Sequence, residues 1–212
     1  MRIIAGTYRS QRLAAPPGLS TRPTSDRLRE TLFNVLAPRI NQGAGAAFLD
    51  LYAGSGAVGL EALSRGAAHV TFVERAPAAL KVLRRNLQQL GIESGFELRA
   101  ESVAAFLRSA TKPSPKPERY EVVFRKHYEI VFLDPPYEAE HEYAATLGLL
   151  GGAEHAILAP GALVVAEHRR KLPLQERYGR LRRTRLLEQG DAALSFYEAA
   201  STMSDQASAG LL

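Results

Sequence analysis

The sequence contains no cysteine and no tryptophan, and the first absence excludes disulfides and thiolate metal sites. Its five histidines, His69, His127, His141, His155 and His168, show neither H-E-x-x-H nor another metal-ligand spacing, so no metal is expected. No apolar run approaches the roughly 18 residues of a membrane span. The first residues, Met1-Arg2-Ile3-Ile4-Ala5-Gly6, lack the apolar stretch of a signal peptide. A cytoplasmic protein with no membrane partner is the expectation. What remains is an ordinary globular composition over 212 residues, 46% hydrophobic and 23% charged, long enough for one well-buried domain and an appendage.

Acidic charge is scarce at one end only. Residues 1–40 carry seven arginines, no lysine and two acids, leaving 20 of the 27 bases and 20 of the 22 acids for the rest. The net charge of +5 therefore resides in the first forty residues. Arginine grips phosphate bidentately and stacks on bases, so this segment points to a polyanionic partner, a nucleic acid above all. Arg9, Arg12, Arg22 and Arg27 are the candidate nucleic-acid contacts. A second basic run, from Arg169-Arg170-Lys171 to Arg185, is offset by acids elsewhere in the chain.

The chain is organised around Phe48-Leu49-Asp50-Leu51-Tyr52-Ala53-Gly54-Ser55-Gly56-Ala57-Val58-Gly59. A short apolar run that ends in a carboxylate and breaks into glycines reads as a buried parallel strand, a turn and the start of a helix. Glycine lets a ligand lie against bare backbone, with helix N–H groups facing it. Asp50, Ala53, Gly54, Ser55 and Gly56 are thus candidate cofactor contacts. Gly54, Gly56 and Gly59 also satisfy G-x-G-x-x-G, and Glu74 stands where a ribose-binding acid would, so NAD is allowed by spacing. The Asp50 charge just before the loop favours a cofactor with an ammonium and a sulfonium over one with a pyrophosphate. S-adenosyl-L-methionine is such a cofactor.

Strand and helix patterns alternate onward: His69–Glu74, a helix Pro77–Leu90, Phe96–Arg99, and a helix Val103–Ser109. This alternation predicts a doubly wound, mostly parallel α/β sheet. Glu101 or Ser102 follows the third strand, where a polar side chain could reach an adenine amino group. Ahead of the cradle, a helix capped by Thr24 or Ser25 is expected to end at Pro38, behind residues 1–22, which read as a short strand pair or arm rather than part of a buried core. Thr111–Glu118 reads as an exposed loop, and Tyr120–Phe124 as an edge strand or hairpin arm echoing the buried strand Tyr128–Phe132. Tyr143–Leu150 reads as a helix and Ala162–Glu167 as a strand. Arg182–Gln189 and Ala192–Glu198 read as an antiparallel pair closing the sheet.

Asp134-Pro135-Pro136-Tyr137 is the second chemical motif. Its prolines lack N–H groups and stiffen the turn, which presents the Asp134 carboxylate and the Pro135 carbonyl as acceptors. Two acceptors suit an exocyclic nucleobase amine, with Tyr137 stacking on the ring. They would stabilise the positive charge that grows on the nitrogen as it attacks a methyl carbon.

Arg2-Ile3-Ile4-Ala5-Gly6, the run from Arg22-Pro23-Thr24 to Phe33-Asn34, the Asp50–Gly59 cradle continuing to Arg65, and Asp134–Tyr137 together resemble the RsmD-type methyltransferases. The resemblance spans roughly residues 2–198. It implies a Rossmann-like class I methyltransferase fold, with methyl transfer from S-adenosylmethionine to the N2 of one guanine in bacterial 16S rRNA. The partner would be that RNA or an assembling small ribosomal subunit, and the enzyme a monomer. It further implies that Asp50, Gly54, Gly56 and Glu74 bind the cofactor and that Asp134, Pro135 and Tyr137 hold the guanine amine. Ser102 stands where the family often has Asp or Asn. The expected organisation is an RNA-binding extension over 1–40, a catalytic domain over 41–198 and a disordered tail over 199–212. An adenine-N6 methyltransferase, an NAD-dependent oxidoreductase and a non-catalytic RNA-binding protein are the alternatives.

Overall fold

The computed structural model describes residues 1–15, 26–41, 43, 45–111, 127–136, 138–152 and 157–199. Five parallel strands, β1 (Ala47–Leu51), β2 (His69–Val73), β3 (Phe96–Arg99), β4 (Tyr128–Leu133) and β5 (Leu158–Arg169), lie in the order β3-β2-β1-β4-β5. Beyond β5 the sheet continues antiparallel through β8 (Ala192–Ala199), β7 (Leu181–Gln189) and the two-residue β6 (Arg177–Tyr178). The expected mostly parallel, doubly wound sheet is present, and the antiparallel closure is broader than a single pair.

Because side chains alternate across a strand, β1 serves two cores. Phe48 joins a cluster with Ile130, Phe132 and Val165, covered by α1 (Asp26–Ile40), α2 (Ala57–Ser64) and α3 (Pro77–Gln89). Leu49 and Leu51 join a second cluster with Val131, Leu133 and Val164, covered by α4 (Val103–Thr111) and α5 (His141–Gly151). Strands buried on both faces explain why β1, β2 and β4 are almost continuously apolar.

Two expectations are corrected. Pro38 lies inside the last turn of α1, which runs on to Ile40. The proline and Asn34, whose carbonyl would have been its partner, are both exposed, so the missing N–H leaves a carbonyl facing water. Burial of Ile40 holds the final turn in place.

The arm is also more than an exposed appendage. Residues 1–14 form a tight hairpin with an Arg2–Arg12 bridge, and Ile3 and Leu13 enter the first core. The fully buried Glu61 of α2 accepts the Ile4 and Ala5 N–H groups at 2.7 and 3.0 Å, and Ser64 takes those of Thr7 and Tyr8. At the far end, the buried Asn86 of α3 exchanges hydrogen bonds with the Ala14 backbone and donates to Ser55 O at 2.9 Å. The hairpin is therefore bolted to the helix that leaves the cradle and to the cradle itself.

Several expectations fall on residues outside those described: Arg22, the Thr24 or Ser25 cap, most of the Thr111–Glu118 loop, the Tyr120–Phe124 arm, Tyr137 and the tail beyond Ala199.

Candidate active site

Strand order reverses between β1 and β4: one connection leads from β1 to β2, the other half continues through β4. In a doubly wound sheet the crevice at the carboxyl ends of the strands flanking such a point is where ligands bind. The glycine cradle leaves β1 there, and Asp134 leaves β4 on the neighbouring strand, with Leu51 paired to Leu133 just below. The fold thus brings together two motifs that lie more than seventy residues apart in sequence.

The cradle is held from beneath by Asp50. Its carboxylate accepts the Gly59 N–H at 2.9 Å, across the turn into α2, and is 2% exposed. A Cβ at Gly59 would lie 2.3 Å from the Phe72 ring and 2.9 Å from that carboxylate, so only glycine lets the helix close on the acid. Gly56 caps α2 in the left-handed region, φ 81°, packed against Leu83. Burial raises the Asp50 carboxyl to about 7; the Gly59 N–H opposes the shift and the Glu74 charge adds to it. Asp50 is accordingly a carboxylate that a nearby cation would ionise fully.

Glu74, one residue beyond β2, accepts the Gly54 N–H at 2.9 Å and the Ala76 N–H at 2.7 Å. It fixes the outer rim of the cradle and leaves the space over Gly54 open, where a Cβ would meet nothing closer than Tyr52 O at 3.9 Å. Ala53 donates to Val73 O, and its carbonyl accepts from Gly56 N, closing the turn. Ser55 is buried, its carbonyl taken by Asn86. Ser102 is half-buried, and its hydroxyl accepts the Ala105 N–H, capping α4. Glu101 is paired with Arg99 at 2.7 Å. Two acids and open backbone at the strand ends match a cofactor bearing an ammonium and ribose hydroxyls.

At the end of β4, Asp134 is half-buried, Pro135 buried and Pro136 exposed. Burial, then the charges of Glu167 and Asp50, push the Asp134 carboxyl well above the usual carboxylate range. Of the candidate RNA contacts, Arg9 and Arg12 of the hairpin and Arg27 of α1 are exposed.

Four residues escape sequence reasoning. Tyr52 takes a left-handed conformation, φ 61°, where β1 turns into the cradle, and its hydroxyl reaches Glu142 and Thr146 of α5 at 3.0 and 2.7 Å. Arg29 is fully buried beneath the hairpin, bonded to Arg2 O and paired with Asp26 at 2.9 Å. Glu61 binds the hairpin. Glu167 of β5 is 2% exposed beside Asp134. A buried charge in a helix carries no local signature; only a charged residue on the apolar stripe, as Arg29 is beside Leu28, Leu32 and Phe33, could have drawn notice.

The family described as conserved hypothetical protein 95 matches residues 1–198. Protein YlbH of Bacillus subtilis is 36% identical over 198 residues, covering 93% of this chain and 98% of its own. The Escherichia coli protein named ribosomal RNA small subunit methyltransferase D is 39% identical over 167 residues, 79% of this chain and 74% of that one. The solved structure of the Escherichia coli protein yhhF superposes with a TM-score of 0.75 at 33% identity, covering 94% and 97% of the two chains. A cradle and an Asp-Pro-Pro turn joined at one switch point, with a family match along nearly the whole chain, place this protein in the RsmD family.

Proposed function

We propose that the protein is an S-adenosylmethionine-dependent methyltransferase that modifies the exocyclic N2 of one guanine in 16S rRNA, working as a monomer on that RNA or on an assembling small subunit. The observation that carries this reading is the adjacency of Asp50 and Asp134 on paired strands at the switch point. It sets the cofactor cradle beside an acceptor turn. Asp50, Ala53, Gly54, Ser55, Gly56 and Glu74 would hold the cofactor, with Ser102 at its adenine side. When bound, S-adenosylmethionine supplies a methyl carbon made electrophilic by the sulfonium.

The chain's own work is to orient the amine and to receive its charge. The Asp134 carboxylate and the Pro135 carbonyl accept the two amine hydrogens, so the nitrogen lone pair is free to turn toward the methyl carbon. Tyr137 supplies the stacking surface. A base is reached this way only when unstacked, so the RNA is gripped by backbone and shape, through Arg9, Arg12, Arg22 and Arg27. Incubation with labelled S-adenosylmethionine and either unmodified 16S RNA or partly assembled small subunits tests the reading. Label enters RNA in at least one case; no transfer to either, from protein that binds S-adenosylhomocysteine, would sink it.

A further inference from the structure

Leu133 of β4 pairs with Ala166 of β5, so the next residues, Asp134 and Glu167, follow side by side on strands about 4.8 Å apart. Phe132 pairs with Val165, and the two-residue alternation sets Asp134 and Glu167 on that same face, under α1. Asp50 of β1, paired with Phe132 two residues before Asp134, adds a third carboxylate on the same face. Among the described residues no three such side chains converge closely enough to hold a metal ion. Like charges on neighbouring strands disfavour one another's ionisation, and the charges of Glu167 and Asp50 add to burial in raising the Asp134 carboxyl.

We propose that Glu167 is a positioning residue for methyl transfer, acting through Asp134: its buried carboxylate, side by side with Asp134's, makes Asp134 the acceptor of the proton that the amine sheds. The inference rests on the proposed methylation of an exocyclic amine. In that reaction the nitrogen forms its bond to the methyl carbon as the S–C bond breaks, leaving the electron pair on sulfur. The nitrogen's extra proton passes to the Asp134 carboxylate and then to solvent. A carboxylate made more basic by its neighbours is a better acceptor for it.

The surroundings fit this division of labour. Arg29 approaches from α1, fully buried, with Nε and Nη1 lacking hydrogen-bond partners among the described residues. Burial lowers its pKa, while Glu61, Asp26 and Glu167 oppose the shift, so the Arg29 charge bears on Glu167. For Asp134, burial, Glu167 and Asp50 all favour the protonated acid. Glu74 faces Asp50 from β2. His168 belongs to the opposite face, against Tyr143 of α5 and bonded to Ser195 of β8. Arg29 also ties this face to the hairpin through Arg2 O.

The test is the pH dependence of kcat for the full chain on unmodified 16S RNA, in wild type, Glu167→Gln and Glu167→Asp, with S-adenosylhomocysteine affinity measured alongside. Removing the Glu167 charge is expected to move the acid limb of kcat down by about one pH unit. Affinity stays unchanged, and Glu167→Asp keeps the wild-type limb. A limb that stays in place in Glu167→Gln, with affinity intact, overturns the proposal, since a merely structural role would not move it. Should Glu167→Gln fail to fold, carbon NMR titration of the wild-type Asp134 and Glu167 carboxyls in the S-adenosylhomocysteine complex decides. Titration of the Asp134 and Glu167 carboxyls in two coupled steps, each signal responding to both, supports the pair; two independent single-step titrations overturn it. If the wild type made no methylated nucleoside, the proposed function would fail, and the same titration would still judge the pair.

Discussion

If Asp50 holds the cofactor as proposed, cofactor binding is a titration. Its carboxyl is raised to about 7 chiefly by burial, so the free protein holds a proton there below neutrality. An amino group of the cofactor needs the ionised form, and binding should therefore release the proton. For a group at about 7 that must be deprotonated, apparent affinity falls about tenfold at pH 6 and about a hundredfold at pH 5, and is flat above about pH 8. Affinity is lost as pH falls. Stability has the opposite sign, because a raised carboxyl favours the protonated fold: that stability is full below about pH 4 and lost as pH rises through about 7. The shift from 3.8 to about 7 corresponds to an upper bound of about 4 kcal/mol. Asp50→Asn keeps an acceptor for Gly59 N–H, so it should be more stable than wild type at pH 8 and bind S-adenosylhomocysteine weakly at every pH. Titration calorimetry at pH 5.5 to 8, in two buffers of different ionisation heat, reads both the slope and the released proton. Asp134→Asn should retain the slope, separating the two acids. A wild-type affinity independent of pH, or an Asp50→Asn variant that kept the wild-type slope, would refute the reasoning.

Asp134→Ala should bind S-adenosylhomocysteine nearly as well as wild type yet lower kcat by about 10²-fold or more, because it removes an acceptor matched to the reacting amine; single-turnover kinetics with saturating RNA checks this. Glu74→Ala should instead weaken cofactor binding, since it frees the Gly54 N–H and the rim of the cradle; the same calorimetry measures it. Arg9→Glu with Arg12→Glu should weaken RNA binding and flatten its salt dependence without changing the melting temperature, as both side chains are exposed. Glu61→Ala should cost about 3–5 kcal/mol in urea denaturation, because it leaves Arg29 buried with less counter-charge and unbinds the hairpin. Deleting the hairpin, by contrast, would remove Ile3 and Leu13 from the core and would confound any RNA-binding measurement.

The parallel sheet was legible because each strand is a short apolar run closed by a turn signal, and the cradle because glycine and carboxylate lie within ten residues of one another. Asp134 was legible for the same reason, being chemistry written in adjacent letters. The remainder depends on distance along the chain. Glu61 meets Ile4 across 57 residues and Asn86 meets Ala14 across 72, so neither looks other than a polar helix residue until the hairpin is laid on the helices. Glu167 becomes Asp134's neighbour only through the β4–β5 register, and a one-residue slip would have turned it to the other face. Pro38 misled because proline's local penalty was weighed without Ile40, whose burial keeps the helix going.

The most direct measurement is the identity of the product nucleoside. Unmodified 16S RNA, alone and in partly assembled small subunits, is methylated with labelled S-adenosylmethionine, digested, and separated by mass spectrometry. The account predicts that label accumulates in N2-methylguanosine at a single position and that Asp134→Ala abolishes it. Label in N6-methyladenosine, or in N2-methylguanosine at an undiminished rate in Asp134→Ala, would contradict it.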